Sequence, residues 1–319
     1  ASEWLRKCLR DHKSCDRSHD QTWYPKRLLD LRNQQVRLIL TASTQPRGPY
    51  ASMSHCWGPH PFFLTLSAER IEEMRRDIQW ARLPRNFQDA ITTCRRLGID
   101  YLWIDSLCII QSGYGSAEDW TEHATLMQFV YANSILTIAA TRAASAEGGC
   151  FTERDPDLVY PPTVIWSGRQ AAAHSDDELW DDGDSHYLKF MNSPLGQRAW
   201  VFQERLLSKR MLHFGLDQIF WECDELPNAS ETFPLGLPDL NPLNDGVARF
   251  NIVPSSSIQE YRKGRPLDDS DGLESNWYQI VENYSALELT RPVEDKFVAL
   301  AGIASRTAAL LGDSYVAGM

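Results

Sequence analysis

Leu83-Pro-Arg-Asn-Phe-Gln-Asp-Ala-Ile91 and, eight residues on, Ile99-Asp-Tyr-Leu-Trp-Ile-Asp105 decide the fold. Leu83 to Asn86 opens a helix whose Phe87, Ala90, Ile91, Cys94 and Leu97 fall on one face, and Gly98 stands just past its end as a stop signal. The second stretch is a near-continuous apolar run ending in an acid, as a strand covered on both faces reads. Upstream, Val36 to Thr41 and Tyr50 to Trp57 read as strands separated by a Gln-Pro-Arg-Gly-Pro turn. Downstream, a polar loop from Gln111 to Ser116 leads into a helix over Glu118 to Asn133, and Ile135 to Ala140 supplies another strand. The order β-α-β-α-β across 50–140 predicts a doubly wound, mainly parallel α/β sheet. Ligands bind such sheets beyond the C-terminal strand ends. That rule nominates Ser54, His55, Cys56, Trp57 and Gly58, then Asp105 and Ser106, then the helix start near Trp120.

The rest of the chain reads as additions to this core. Pro194 to Ser208 predicts a helix, Met211 to Cys223 a hairpin turning at Gly215 to Asp217, and Trp277 to Leu289 and Asp295 to Leu311 further helices. The acidic stretch 176–184 and the Pro- and Asn-rich stretch 227–271 read as loops. The expected division is an N-terminal helix and strand over 1–48, an α/β core over 49–155 and a helical and hairpin elaboration over 156–319. Lys plus Arg at 32 against Asp plus Glu at 43 leaves a net charge of −11, which excludes the electrostatic footprint of a duplex-binding protein. No apolar run has the length of a membrane span. Seven cysteines, odd in number and scattered, point to reduced thiols and a cytoplasmic setting.

Several longer motifs, in order, resemble the fungal heterokaryon-incompatibility (HET) domain. They are Ser54-His-Cys-Trp-Gly58, Leu83 to Ile91 leading to Leu97 through Gln111, Asp119-Trp120, and Val130 to Ala140. Further similarity covers Trp4 with Cys8, His12 and Cys15, Phe151 to Arg154, Arg198 to Ser208, Phe220-Trp-Glu-Cys223 and Asp295 to Ala304. The resemblance implies a role in fungal non-self recognition and regulated cell death. It also implies a TIR/flavodoxin-like core, because HET domains are similar to TIR domains, several of which cleave NAD at the nicotinamide-ribose bond with a glutamate shortly after a tryptophan. On that likeness Glu122 and His123 are the catalytic candidates, and Ser54, His55, Trp57, Gly58, Asp105, Trp120 and Arg154 surround the nucleotide. HET domains usually carry a glutamate three residues after the tryptophan; here that position is His123, and Glu122 precedes it. Successive helical residues differ by about 100°, so Glu122 shares a face with Leu126 and Phe129 while His123 lies with Trp120 and Met127. The expected partners are a nucleotide and either a second copy of the chain or another incompatibility or NLR-type protein. A non-enzymatic signalling module is the alternative.

Other constellations admit two readings. Cleaving an N-glycosidic bond needs a carboxylate beside an oxocarbenium-like centre, an aromatic wall and groups for ribose hydroxyls, all available from the residues above. Glu122 can equally be a first-turn acid favoured by the helix dipole. His55-Cys56 invites a cysteine-nucleophile reading, but adjacent strand residues point to opposite faces. Arg198, Trp200, Gln203 and Glu204 form a helix face that lines the same pocket, or else Arg198 and Glu204 pair structurally. Cys8, His12, Cys15 and His19 are spaced by four, three and four, which on a continuous helix is a row too long to close around one ion. A break after Asp11 would bring three of them together. The expectation is a docked helix face with no metal.

Overall fold

The computed structural model describes residues 1–16, 23–59, 62–154, 190–226, 228–236 and 270–311. His19, the acidic stretch 176–184 and most of 227–271 lie outside them. Eight strands, β1 (Arg27–Asp30), β2 (Arg37–Leu40), β3 (Tyr50–Ser54), β4 (Tyr101–Trp103), β5 (Leu136–Ala139), β6 (Arg210–Phe214), β7 (Ile219–Cys223) and β8 (Ala229–Ser230), form one sheet in the order β2-β1-β4-β3-β5-β6-β7-β8. The pairings β4 to β3, β3 to β5 and β5 to β6 are parallel. Those outside them, β1 to β2, β1 to β4, β6 to β7 and β7 to β8, are antiparallel. The sheet is thus mixed, parallel only in its centre, where a mainly parallel one is expected from the sequence. The hairpin β6-β7 extends the sheet itself, and β1 inserts antiparallel beside β4.

The central strands are buried at every position, as sheet strands covered on both faces are. Thr137, which interrupts the apolar run of β5, is not exposed. Its Oγ1 lies 2.8 Å from Ser52 Oγ and 2.6 Å from Ser208 Oγ, so the buried hydroxyls satisfy one another.

Six helices matter here: α1 (Ser2–Asp11), α2 (Arg85–Leu97), α3 (Ser116–Asn133), α4 (Ala199–Leu207), α5 (Ser270–Ser285) and α6 (Val298–Leu311). Helix α2 buries Phe87, Ala90, Ile91 and Cys94. Gly98 ends it with φ +72°, its N–H reaching the carbonyls of Cys94 and Arg95; only glycine takes that conformation without strain. Its buried Asp89 accepts the N–H groups of Cys150 (2.8 Å) and Phe151 (3.0 Å), fastening the chain that follows β5. Helix α3 is held over β1 by a buried ion pair from Arg27 to Asp119. Helix α1 stops at Asp11, and His12 is extended at φ −89° and ψ 105°, so the cysteine and histidine row does not continue along one helix. Among the described residues no helix is long and apolar enough to cross a membrane. All seven cysteines are buried and free of disulfides.

Candidate functional site

Strand β3 is followed in sequence by α2 and its neighbour β4, whereas β5 is followed by α4 and β6 on the opposite side. The strand order therefore reverses between β3 and β5, and the crevice expected at such a switch point lies above the last residue of β3, Ser54. Ser54, His55 and Trp57 follow from β3. Asp105 and Ser106 arrive after β4, where Asp105 opens a short helix (Asp105–Cys108) and its Oδ1 accepts the Ser106 N–H at 2.6 Å. Arg198 and Glu204 come from α4 and its N-cap.

These groups interlock. Trp57 Nε1 donates to Asp105 Oδ2 at 2.9 Å, and Asp105 Oδ1 lies 3.7 Å from His55 Nδ1. Arg198 donates to the His55 carbonyl at 2.5 Å. The His55 ring stacks on Trp57 at 6.5 Å and meets the Phe87 edge at 4.9 Å, while Phe63 closes against Trp57 at 5.5 Å. The result is an aromatic wall with a carboxylate fixed at its rim.

Glu204 is the buried carboxylate, with 7 % of its surface exposed. Burial pushes its pKa up to about 7; Asp105 adds to the rise, and Ser54, Arg198 and Tyr131 oppose it. Burial likewise drives His55 down to about 4, with Arg198 assisting and Asp105 opposing. At neutral pH the imidazole is uncharged and Glu204 is near its titration midpoint. Ser54 lies close enough to favour ionised Glu204, yet neither Ser54 Oγ nor Glu204 Oε2 completes a hydrogen bond of ordinary geometry with a described residue. His55 Nε2 and Ser106 Oγ are buried without a partner in the same way. Native proteins satisfy nearly all buried polar atoms. Four such atoms, from three separate segments at this end of the sheet, carry unused hydrogen-bonding capacity, as do buried atoms of Asn86, Trp103, His123 and others elsewhere in the described residues.

Of the residues nominated from sequence, the structure brings Ser54, His55, Trp57 and Asp105 together. Gly58 serves the same loop through its backbone: φ is +88°, and a Cβ there would stand 2.8 Å from Ser145 Cβ. Glu122 is elsewhere, its side chain 48 % exposed and ion-paired with Lys26. His123 is buried, its Nδ1 at 2.7 Å from the Asp119 carbonyl, and its charged neighbours are Asp119, Arg27 and Lys26. Trp120 is 38 % exposed. Arg154 is ion-paired with Glu231. Cys56 is buried, which pushes its thiol up and away from nucleophilic thiolate.

Tyr131 and the role of Glu204 are the additions the structure makes. The helix face of α4 divides: Trp200 donates to Asp295 at 3.1 Å and Gln203 accepts the Gly302 N–H at 2.9 Å, whereas Arg198 and Glu204 turn to the crevice. A signal for Glu204 was present in its spacing, three residues from both Val201 and Leu207 on a buried stripe.

Residues 50–204 match the family model of the Heterokaryon incompatibility protein (HET). The match runs from the first residue of β3 to Glu204, and so spans every crevice residue named above. No curated protein and no solved structure matches the chain.

Proposed function

We propose that the chain is an effector of fungal heterokaryon incompatibility and cell death whose crevice above β3 and β5 takes NAD or a related nucleotide and hydrolyses its N-glycosidic bond. The HET match supports the cellular role, and the observation that carries the chemistry is the buried Glu204 close to Ser54 and Asp105, with Ser54 Oγ and His55 Nε2 left without partners. In NAD hydrolysis the bond from ribose C1′ to the nicotinamide nitrogen breaks, and the ring leaves neutral with the bonding pair. Water adds to C1′ and gives up one proton. Ionised Glu204 stabilises the cationic C1′ and accepts that proton, a task suited to a carboxyl group titrating near 7. Neutral His55 and the hydroxyls of Ser54 and Ser106 bind ribose hydroxyls, and Trp57 forms a wall for a planar base. Asp105, fixed by Trp57 and the Ser106 N–H, positions the His55 ring. Self-association, or pairing with another incompatibility or NLR-type protein, would control this activity.

Regulated expression in a fungal host tests the reading. Wild type is expected to arrest growth and deplete cellular NAD, Glu122→Gln to do the same, and Glu204→Gln to do neither at equal protein level. Arrest by Glu204→Gln with NAD depleted would remove Glu204 from the mechanism. Arrest with NAD unchanged in wild type would leave the effector role and refute the hydrolysis.

A further inference from the structure

Four ligand-bearing side chains meet far from the crevice, at the junction of α1 with β7. Cys8 lies in the last turn of α1, His12 in the extended residue that ends it, Cys15 in the 3-10 turn Ser14–Asp16, and Cys223 at the last position of β7. Their ligand atoms all lie within 4.8 Å of one another. His12 Nδ1 is 3.8 Å from Cys15 Sγ and 3.3 Å from Cys223 Sγ. A tetrahedral zinc ion with bonds of about 2.3 Å to sulfur and about 2.0 Å to nitrogen sets its N···S edges at about 3.5 Å. The observed separations bracket that value. The three cysteines are buried and His12 is partly so, which leaves no open coordination position of the kind catalytic zinc keeps.

Charge points the same way. Arg210 is 1 % exposed, and its Nε donates to Cys8 Sγ at 3.0 Å while its Nη2 donates to the Cys15 carbonyl at 3.0 Å. Among the described residues no carboxylate pairs with it, although an uncompensated buried cation is costly. It is also the cross-strand neighbour of Cys223 in the β6-β7 register. Three thiolates, one neutral imidazole and a divalent ion carry a net charge of −1, and the Arg210 guanidinium cancels it. With the metal, the buried assembly is neutral and each member has its partner.

We infer that Cys8, His12, Cys15 and Cys223 form a structural zinc site that staples the N-terminal helix to the far side of the sheet. Cys223 is more than two hundred residues from the other three ligands, so the ion closes a long loop around the core. Trp4 stacking on Trp221 at 6.3 Å and Ser14 N–H donating to Glu225 at 2.5 Å bind the same junction. The inference does not depend on the proposed crevice chemistry.

Elemental analysis of the untagged full chain, purified without chelator, is expected to find one zinc ion per chain. Cobalt exchanged into the wild type is expected to give the intense visible bands of a tetrahedral ion with thiolate charge transfer. Cys223→Ser and His12→Ala should lose stoichiometric zinc, and Arg210→Met, which leaves all four ligands, should weaken it about 10- to 100-fold in chelator competition. Wild-type protein with no stoichiometric metal and no cobalt bands after zinc-free refolding would overturn the site. So would full zinc content in Cys223→Ser. A thiol count two short of seven in metal-free wild type would assign the cluster to a disulfide instead and equally refute it.

Discussion

Glu204→Gln is expected to stabilise the chain by about 3 kcal/mol at pH 8, although it removes the proposed reacting group. Unfolded, the carboxyl titrates near 4.5; folded, burial moves it to about 7. Between those values the folded state holds the proton and the unfolded state does not, so wild-type stability falls as pH rises from 4.5 to 7. Above pH 7 both states are ionised and the penalty is constant. Glutamine never carries the charge, so the advantage of the variant is fully present above pH 7 and vanishes near pH 4.5. His55 works in the opposite direction: its folded value near 4 lies below its unfolded 6.5, so its contribution is lost as pH falls through that window. In wild type the Glu204 trend opposes the His55 trend. Burial also holds the His123 imidazole below its ordinary value, which adds to the His55 trend, so denaturant titrations across pH 4 to 8 should show a steeper rise for Glu204→Gln than for wild type. Equal profiles for the two proteins would mean that Glu204 is not held against its charge.

Asp119→Ala is expected to cost about 3 to 5 kcal/mol, because it leaves the buried Arg27 guanidinium without its counter-ion. The same carboxylate accepts the Ile110 N–H at 2.8 Å, and Arg27 also donates to the Cys108 carbonyl at 2.6 Å, so the pair locks α3 to β1 and to the turn after β4. Asp119→Asn keeps an acceptor for Ile110 and should lose less. Urea midpoints for the two variants measure this. A loss below about 1 kcal/mol for alanine would show the pair to be no stronger than an exposed one. The pair also fixes the start of α3 on the β1 side of β4, which is why Trp120, Glu122 and His123 stand apart from Ser54 and Glu204.

What could be read in the sequence was whatever local periodicity encodes. Helix α2, its Gly98 stop and the strands at Tyr50, Tyr101 and Leu136 carry their signals within a dozen residues. The meeting of Ser54, His55, Trp57 and Asp105 at one end of the sheet followed from chain order alone, since β3 and β4 are parallel neighbours. Strand β1 escaped because Arg27-Leu-Leu-Asp30 is four residues with charged ends, and only pairing with β2 and β4 makes it a strand. The outward setting of Glu122 agrees with its helical phase, but its Lys26 partner is 96 positions away and has no local trace. Glu204 sits 150 residues beyond Ser54, where burial and a neighbouring carboxylate that no pattern records raise its pKa. The break after Asp11 was one of two readings the row left open, whereas Cys223 joins that cluster from across the chain.

Nicotinamide release from NAD by the purified full chain, assayed at high protein concentration across pH 5 to 9, tests the account most directly. Wild type and Glu122→Gln are expected to release nicotinamide with a rate that rises through about pH 7, as Glu204 ionises, and Glu204→Gln to release none. Turnover that survives in Glu204→Gln, or is absent from folded, assembled wild type, would contradict it.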